Sequence, residues 1–342
     1  MKNHLRKTAS GPILLTVVLP WLLTRSGLAA EKFKVALIGR EETATLERQN
    51  EQFSAITSVD ADEEGHIYVL DGREAVVKVF DATGMFLRKL FRPGPGPEEI
   101  SHPFKVKWNR FRKTLFVLDQ YGFSLKEFSP TGKELKKYPL RGQMWSFFSF
   151  TDADRFFLFR ESGDGTSYLI SQYDLPSNGL SEKINTGIPV AIKISLPGFL
   201  VDGDRVWLCS EDRMQLLSYS LKDGRRIDNL RLPEEYRPFR VVKSPEWHMI
   251  IVFQYGVPIV FDGSLHVLVF RYRYSGDSFR TLADGEAEAT SILLYRLRSN
   301  RLEKRADLGS HEGVVDLGFA NDRRIVFLHN SPYPRVRILD LQ

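Results

Sequence analysis

The chain has 342 residues, a formal net charge of +5, 42% apolar residues and one cysteine. Four cations (Lys2, Arg6, Lys7 and Arg25) and no acid lie in the first 29 residues, so the remainder carries only +1. That balance removes the electrostatic ground for a nucleic-acid partner, and a lone thiol, Cys209, excludes an intrachain disulfide framework.

Residues 1–30 read as a secretory signal peptide. A basic start (Lys2, Arg6, Lys7) precedes the apolar run Gly11 to Leu23, and the small residues Gly27 and Ala29 suit a cleavage site near Ala29/Ala30. The run spans 13 residues, short of the roughly 18 that a membrane-spanning helix needs. Retention as an anchor is the alternative, supported by Arg25 directly after the run. The expectation is export to the periplasm or outside the cell, with 31–342 as one domain and no membrane span in the mature chain. Export without disulfides suits a bacterial periplasm, and Cys209, inside Arg205-Val206-Trp207-Leu208-Cys209, reads as a small buried hydrophobe.

The domain is organised around a repeat. Ile67 to Gly84 lies without gaps over Leu115 to Gly132, 48 residues later, with seven of eighteen positions identical. The identities are Val69/Val117, Leu70/Leu118, Asp71/Asp119, Lys78/Lys126, Phe80/Phe128, Thr83/Thr131 and Gly84/Gly132. Each copy reads strand, acidic turn, strand, Gly turn. Self-similarity at this period predicts an all-β propeller of four-stranded antiparallel blades. The length of residues 31–342 divided by this period falls between six and seven, so six blades are expected, with seven as the alternative.

In chain order, blade one covers 53–90, with strands at Ala55–Val59, Ile67–Leu70, Val76–Phe80 and Phe86–Phe91 and a tight turn at Asp60–Gly65. Blade two covers 104–140 in the same order. Blade three, 146–184, is looser, and blade four, 196–232, is clear. Blade five is distorted: Ile259–Phe261, Leu265–Arg271, Ser291–Leu297 and Leu302–Leu308. Blade six, 314–342, shows three strands, and the unassigned segment Phe33–Ile38 supplies its fourth, since otherwise both chain ends leave open strand edges. Residues 239–256 fit no blade and read as an insertion or half of a seventh.

The run Arg92-Pro93-Gly94-Pro95-Gly96-Pro97-Glu98-Glu99, then His102-Pro103, LFVLD and FSPTG, resembles the NHL-repeat signature of six-bladed propellers. It is similar also to the TolB-like six-bladed group exported by bacteria. The match holds over 53–140, is partial in blade four and is poor in blades three and five. The resemblance implies the fold; such propellers serve both as binding scaffolds and as enzymes.

Asp60-x-Asp62-x-Glu64-Gly65, with Asp71 at the twelfth position, approaches a calcium loop. It departs from one at the fifth position (Glu) and the twelfth (Asp), and acidic turns recur at Asp152/Asp154, Asp202/Asp204, Asp262 and Asn321/Asp322, so backbone capping is the preferred reading. No cofactor is expected, with calcium as the alternative, and Asp71 and Asp119 read as caps. No G-x-S-x-G elbow, phosphate-binding loop or H-E-x-x-H is present, and no catalytic or metal residues are assigned. The basic run Lys105 to Lys113 reads as a solvated strand edge, with an anionic-surface patch as the alternative.

In an up-and-down blade, the short turns share one face and the longer connections the other. The long connections are expected at 92–103, 160–166, 185–195, 233–247 and 272–290, with long-loop insertions near 233–257 and 272–290. Loops on a rigid scaffold carry function, so the long-loop face is the expected binding face. Its candidates are Arg92, His102, Trp145, Arg160, Tyr236, Arg240, Trp247, Arg271, Tyr272, Tyr274 and His311, because aromatics and arginines supply contact area and directed donors. The expected role is an exported scaffold binding a protein, peptide or glycan of the cell envelope. The alternative is a hydrolase or lyase of the lactonase or strictosidine-synthase kind, which needs acidic or amide groups converging at the channel mouth.

Overall fold

The computed structural model describes residues 33–38, 53–119, 123–140, 147–189, 199–210, 215–231, 239–243, 249–261, 263–276, 289–310, 314–321, 324–329 and 335–341. Its strands, in order, begin with β1 (Phe33–Ile38), β2 (Ile56–Ala61), β3 (Ile67–Asp71), β4 (Val76–Phe80), β5 (Phe86–Leu90), β6 (Arg92–Pro93), β7 (Glu99–Ile100), β8 (Pro103–Asn109) and β9 (Thr114–Asp119). There follow β10 (Ser124–Phe128), β11 (Glu134–Pro139), β12 (Phe147–Phe150), β13 (Arg155–Glu161), β14 (Ser167–Asp174), β15 (Gly179–Pro189), β16 (Phe199–Asp202), β17 (Arg205–Ser210), β18 (Gln215–Ser220) and β19 (Arg226–Arg231). The last are β20 (Phe239–Lys243), β21 (Met249–Phe261), β22 (Ser264–Gly276), β23 (Ala289–Arg298), β24 (Arg301–Ser310), β25 (Val314–Asn321), β26 (Arg324–His329) and β27 (Arg335–Leu341).

These strands form a propeller of four-stranded antiparallel blades. Four blades are consecutive meanders: β2-β3-β4-β5, β8-β9-β10-β11, β12-β13-β14-β15 and β16-β17-β18-β19. A further four-stranded sheet, β25-β26-β27-β1, joins the two ends of the chain, with Phe33 opposite Leu341 and Ile38 opposite Val336. The first strand is thus the outer strand of the last sheet, as the open edges require. A five-stranded sheet, β20-β21-β22-β23-β24, lies between β19 and β25 in the chain. Among the described residues no helix is long and apolar enough to cross a membrane.

Strand alternation builds the seams between sheets. Successive side chains point to opposite faces, so Phe156 and Leu158 pack on Phe116, Leu118 and Tyr138, while Phe157 and Phe159 pack on Val206, Leu208 and Leu217. Leu70, Val77 and Val79 meet Val106, Leu115 and Phe128. Trp207, Cys209 and Leu216 meet Val267, Val269 and Leu293 of the five-stranded sheet, whose Leu268, Phe270 and Ile292 meet Ile325, Phe327 and Leu339 of the last. The last sheet's Val326, Leu328 and Ile338 return to Val59, Ile67 and Phe80. Each fully buried Leu, Ile or Phe contributes about 2–3 kcal/mol. The repeat's turn glycines, Gly84 and Gly132, both take φ 90, a conformation that side chains disfavour.

Several sequence expectations are corrected. Asp60 lies in β2, and the turn begins at Asp62. Arg160 lies in β13, not on a long loop, and only Ser162 to Thr166 connect it to β14. β15 runs on through Pro189, with register shifts opposite Ser167/Leu169 and Ile170/Ser171 absorbing the extra residues. Of residues 239–257, those described are strand: β20 and the first half of β21 pair with each other inside the five-stranded sheet. Arg271, Tyr272 and Tyr274 lie in β22, where Tyr272 pairs with Phe253 and Tyr274 with Ile251. The alternation Phe-Arg-Tyr-Arg-Tyr has the strand period, which the sequence reading passed over. The leader (1–30), Trp145, Tyr236, Trp247 and His311 lie outside the described residues.

Polar contacts lock the seam between the first two blades and tie the second to the third. The Ser58 hydroxyl accepts from Val106 N at 3.2 Å, and Asp60 accepts from Trp108 N at 2.8 Å. The Trp108 ring stacks on Tyr68, and its Nε1 donates to Glu63. Arg112 sits on the short turn of the second blade. Its Nη1 pairs with the buried Glu127 at 3.1 Å, while Nε donates to Ala153 O and Nη2 to Asp154 on the third blade. Thr114 and Tyr138 also donate to Glu127. Burial first, then the Glu127 carboxylate, push the Tyr138 hydroxyl above its ordinary range, so it remains a donor. Removing the guanidinium strands a buried carboxylate. Arg112→Ala is therefore expected to destabilise by about 3 kcal/mol, whereas Arg112→Met with Glu127→Leu costs less, as read from urea unfolding midpoints of the three proteins.

Candidate functional site

On the long-loop face of the first two blades, each repeat aspartate holds the start of its own inner strand. Asp71 ends β3. Its carboxylate accepts from Ser54 N at 2.6 Å, Ala55 N at 3.2 Å and Glu74 N at 3.1 Å. Gly72 follows because a Cβ there would come within 2.7 Å of the Thr57 side chain. Asp119 ends β9 and accepts from Ser101 N at 3.4 Å. Both are caps, as their positions in the repeat predict.

Each central strand that follows a cap carries a buried lysine. Lys78 lies 3.7 Å from Asp71 and 3.2 Å from Glu74, with its ammonium over the Phe53 ring. Its repeat partner, Lys126, makes a different set of bonds. Its Nζ donates to Gly96 O at 3.0 Å, Glu99 O at 2.8 Å and Glu134 Oε2 at 3.0 Å. A buried ammonium requires such partners, and here two of the three, the carbonyls of Gly96 and Glu99, come from the loop joining the first blade to the second. Lys126 thus pins the Gly/Pro-rich loop from beneath.

The same loop is braced from within. Glu99 Oε2 accepts from Gly96 N at 2.9 Å, and the carboxylate fills the space where a side chain at residue 94 or 96 would stand. Ser101 Oγ donates to Gly94 O, and β6 pairs in parallel with β7. Phe91 and Glu98 adopt φ 72 and φ 58, strained values for residues with a Cβ. Phe91 is held by contact with Phe128, ring centroids 4.2 Å apart. The result is a fixed loop that presents Pro93, Pro95 and Pro97 to solvent. Arg92, 3.7 Å from Glu99, is 77% exposed at one flank and His102 is exposed at the other.

The structure therefore brings Arg92 and His102 to one loop. Arg160 belongs to the third blade, where it pairs with Glu182 across the sheet. Arg240 lies in β20, and Arg271, Tyr272 and Tyr274 in β22. β21 and β22 form a hairpin whose 13-residue arms are roughly 40 Å long, about twice β2, with its turn at the opposite end. Sequence reasoning missed Lys126, Glu99 and Phe123, which is 41% exposed nearby. The available signal was a lysine at the same place in two central strands that are otherwise buried.

The carboxylates of the calcium-like pattern do not converge as one set: Asp60 and Asp71 have separate partners, while Asp62 and Glu64 meet at His66. Asp60 serves Trp108 and Asp71 the inner-strand cap. Asp62 accepts from the backbone amide of His66 and from Tyr68 OH, and its Oδ2 lies 2.9 Å from the His66 ring. Burial first, and then Asp62, push the Tyr68 hydroxyl above its ordinary range. The donor atoms that do come together, within 4.8 Å, belong to Asp62, Glu64 and His66, on the short-turn face.

No protein-family model and no curated protein matches the chain. Solved structures do. A putative exported protein from Bacteroides fragilis is similar at 8% identity and TM-score 0.54, covering 91% of this chain and 95% of that one. A DUF4221-family member from Bacteroides vulgatus is similar at 11% identity and TM-score 0.54, over 92% and 97%. The WD40 repeats of RRP9 follow at 10% identity and TM-score 0.50, over 90% and 97%. These likenesses support the propeller fold and nothing finer.

Two outcomes are expected. Lys126→Met removes the donors beneath the loop while keeping the volume, so amide exchange at Gly94 and Gly96 should accelerate at least about tenfold with strands β8 to β11 still protected. Glu74 supplies a pH dependence. Burial pushes its carboxyl up, but the Ser54 hydroxyl and Lys78 ammonium together hold it below its ordinary value. As pH falls, the unfolded chain therefore takes up the proton first. The stabilisation is complete above the unfolded value, about 4.3, and is lost as pH falls through the folded one. The stability difference between the wild type and Glu74→Gln, about 1 kcal/mol at pH 7 after solvent screening, should shrink below pH 4.

Proposed function

We propose that the chain is an exported six-bladed propeller, with the five-stranded sheet as its sixth blade, that binds a protein, peptide or glycan of the cell envelope through its long-loop face. The periplasm or exterior is its location once the leader is removed near Ala29/Ala30, and no cofactor takes part. The NHL or TolB-like grouping is the finer assignment that the Gly/Pro-rich loop supports.

The observation that carries this reading is the preorganised loop over the first two blades. Lys126 and Glu99 hold its backbone, so Arg92, the three exposed prolines and His102 are presented with little conformational freedom left to lose. Fixing a loop in advance lowers the entropic cost of binding. The nearby acids support recognition rather than acid–base chemistry, since Asp71 and Asp119 accept backbone amides and Glu99 is held inside its loop.

A photo-crosslinking residue at Pro95 tests the assignment against the same residue at Thr83, on the short-turn face. In cells, Pro95 is expected to yield a discrete adduct at least fivefold above Thr83, and Lys126→Met to reduce it. Equal labelling from both positions, or none from Pro95, removes the long-loop face as the binding face.

A further inference from the structure

The basic run Lys105 to Lys113 divides in the folded chain. Lys105 is buried, Lys107 lies 3.5 Å from Asp60, and Arg112 is committed to Glu127 and Asp154. Arg110 and Lys113 remain exposed on the short turn of the second blade. The turn between β10 and β11 lies at the same end, because Leu115 pairs with Phe128 and Phe128 with Glu134. It adds Lys133, and β11 adds Lys137, both exposed. None of these four cations has an ion-pair partner among the described residues.

The acids of the second blade and of the third blade's turn are already paired, while Glu63 and Glu64 of the first blade's turn stay exposed, Glu63 accepting from Trp108 Nε1. Glu127 is buried against Arg112, Glu134 is bonded to Lys126, and on the neighbouring turn Asp154 is bonded to Arg112 and Asp152 to Arg155. Among the cations stand two apolar side chains, Phe111, 45% exposed beneath the Arg110 guanidinium, and Leu135, 51% exposed. The adjoining blade adds Met85 and Leu87, and Arg88 donating to Pro130 O ties the two rims together.

The fold does not require this composition. The repeat places Asp62 and Glu63 of the first blade where the second has Arg110 and Phe111, so the same turn has the opposite charge. β1 also enters the fold at this face, since Phe33 pairs with Leu341, and β25 ends and β26 begins at that end, Asn321 opposite Arg324 and Arg324 opposite Asp340. From the charge and the interleaved apolar groups, we infer that the short-turn face of the second blade docks on an anionic lipid surface. The cations meet headgroup phosphates, while Phe111 and Leu135 enter the boundary between headgroups and acyl chains. Exposed aliphatic groups among the cations favour a bilayer over a nucleic-acid backbone, which offers them nothing apolar to enter. The inference concerns the face opposite the proposed ligand loop and does not depend on that reading.

Sedimentation with vesicles tests it, using the protein as recovered from expressing cells, so that every variant shares one N-terminus. The wild type is expected to bind vesicles containing 30% phosphatidylglycerol, not pure phosphatidylcholine, and to be released as NaCl rises from 0.05 to 0.5 M. R110E/K113E/K133E should lower the bound fraction at least tenfold and F111A/L135A at least threefold, with unchanged melting. K133E/K137E, confined to the outer strand and its turn, gives a second test should the first variant misfold. Wild-type-like binding by either charge variant when folded overturns the inference. So does loss with charge reversal but full binding by F111A/L135A with displacement by an oligonucleotide, which marks a polyanion patch instead.

Discussion

A four-stranded twisted sheet has two apolar faces and cannot bury either alone, so each blade depends on its neighbours. Among the described residues the inner strands of adjacent blades share no backbone ladder; what joins the blades is interdigitation of alternating side chains, as where Phe156 and Phe157 of one strand serve opposite seams. Such an arrangement is stable only if the series of sheets returns on itself, because an end would expose a full apolar face. The pairing of β1 with β27, and the cluster shared by the first and last sheets, answer that requirement.

Apolar seams resist separation but do little to prevent sliding, because dispersion contacts have weak directionality. Hydrogen bonds supply direction where the blades meet. Ser58 and Asp60 bind the backbone of β8, and Arg112 spans from a buried carboxylate in one blade to a carbonyl and a carboxylate in the next. With their register held in this way, the two ends of the blades are free to vary in sequence.

The ends have diverged accordingly. On one, a lysine placed by the repeat in a central strand became the support of a loop, its ammonium satisfied by the loop's own carbonyls. On the other, matching turns carry acids in one blade and cations in the next. Burial explains much of the difference in tolerance: identical positions such as Val69/Val117 and Phe80/Phe128 lie in the seams, whereas most of the turn residues that changed, Glu63, Glu64, Arg110, Phe111 and Lys113, are exposed and only Asp62 is buried at the turn's start.

The sequence alone determined the blade pattern, the closing role of Phe33–Ile38 and the capping by Asp71 and Asp119, because each rests on local chemistry: a two-residue period, a turn residue, an unpaired edge. It did not reveal the full length of β21 and β22, whose Arg-Tyr alternation resembles a polar loop until the pairing of Tyr272 with Phe253 shows it to be strand. The support of the Pro-rich loop was equally hidden, since Lys126 and Gly96 are 30 residues apart and only the fold brings them within 3.0 Å. The division of the basic run into committed and exposed cations was likewise decided by tertiary structure, because the partner of Lys107 and two of the partners of Arg112 come from the neighbouring blades. Spacing along a chain specifies which face of a strand a side chain takes; what stands opposite that face is set by the packing of another sheet.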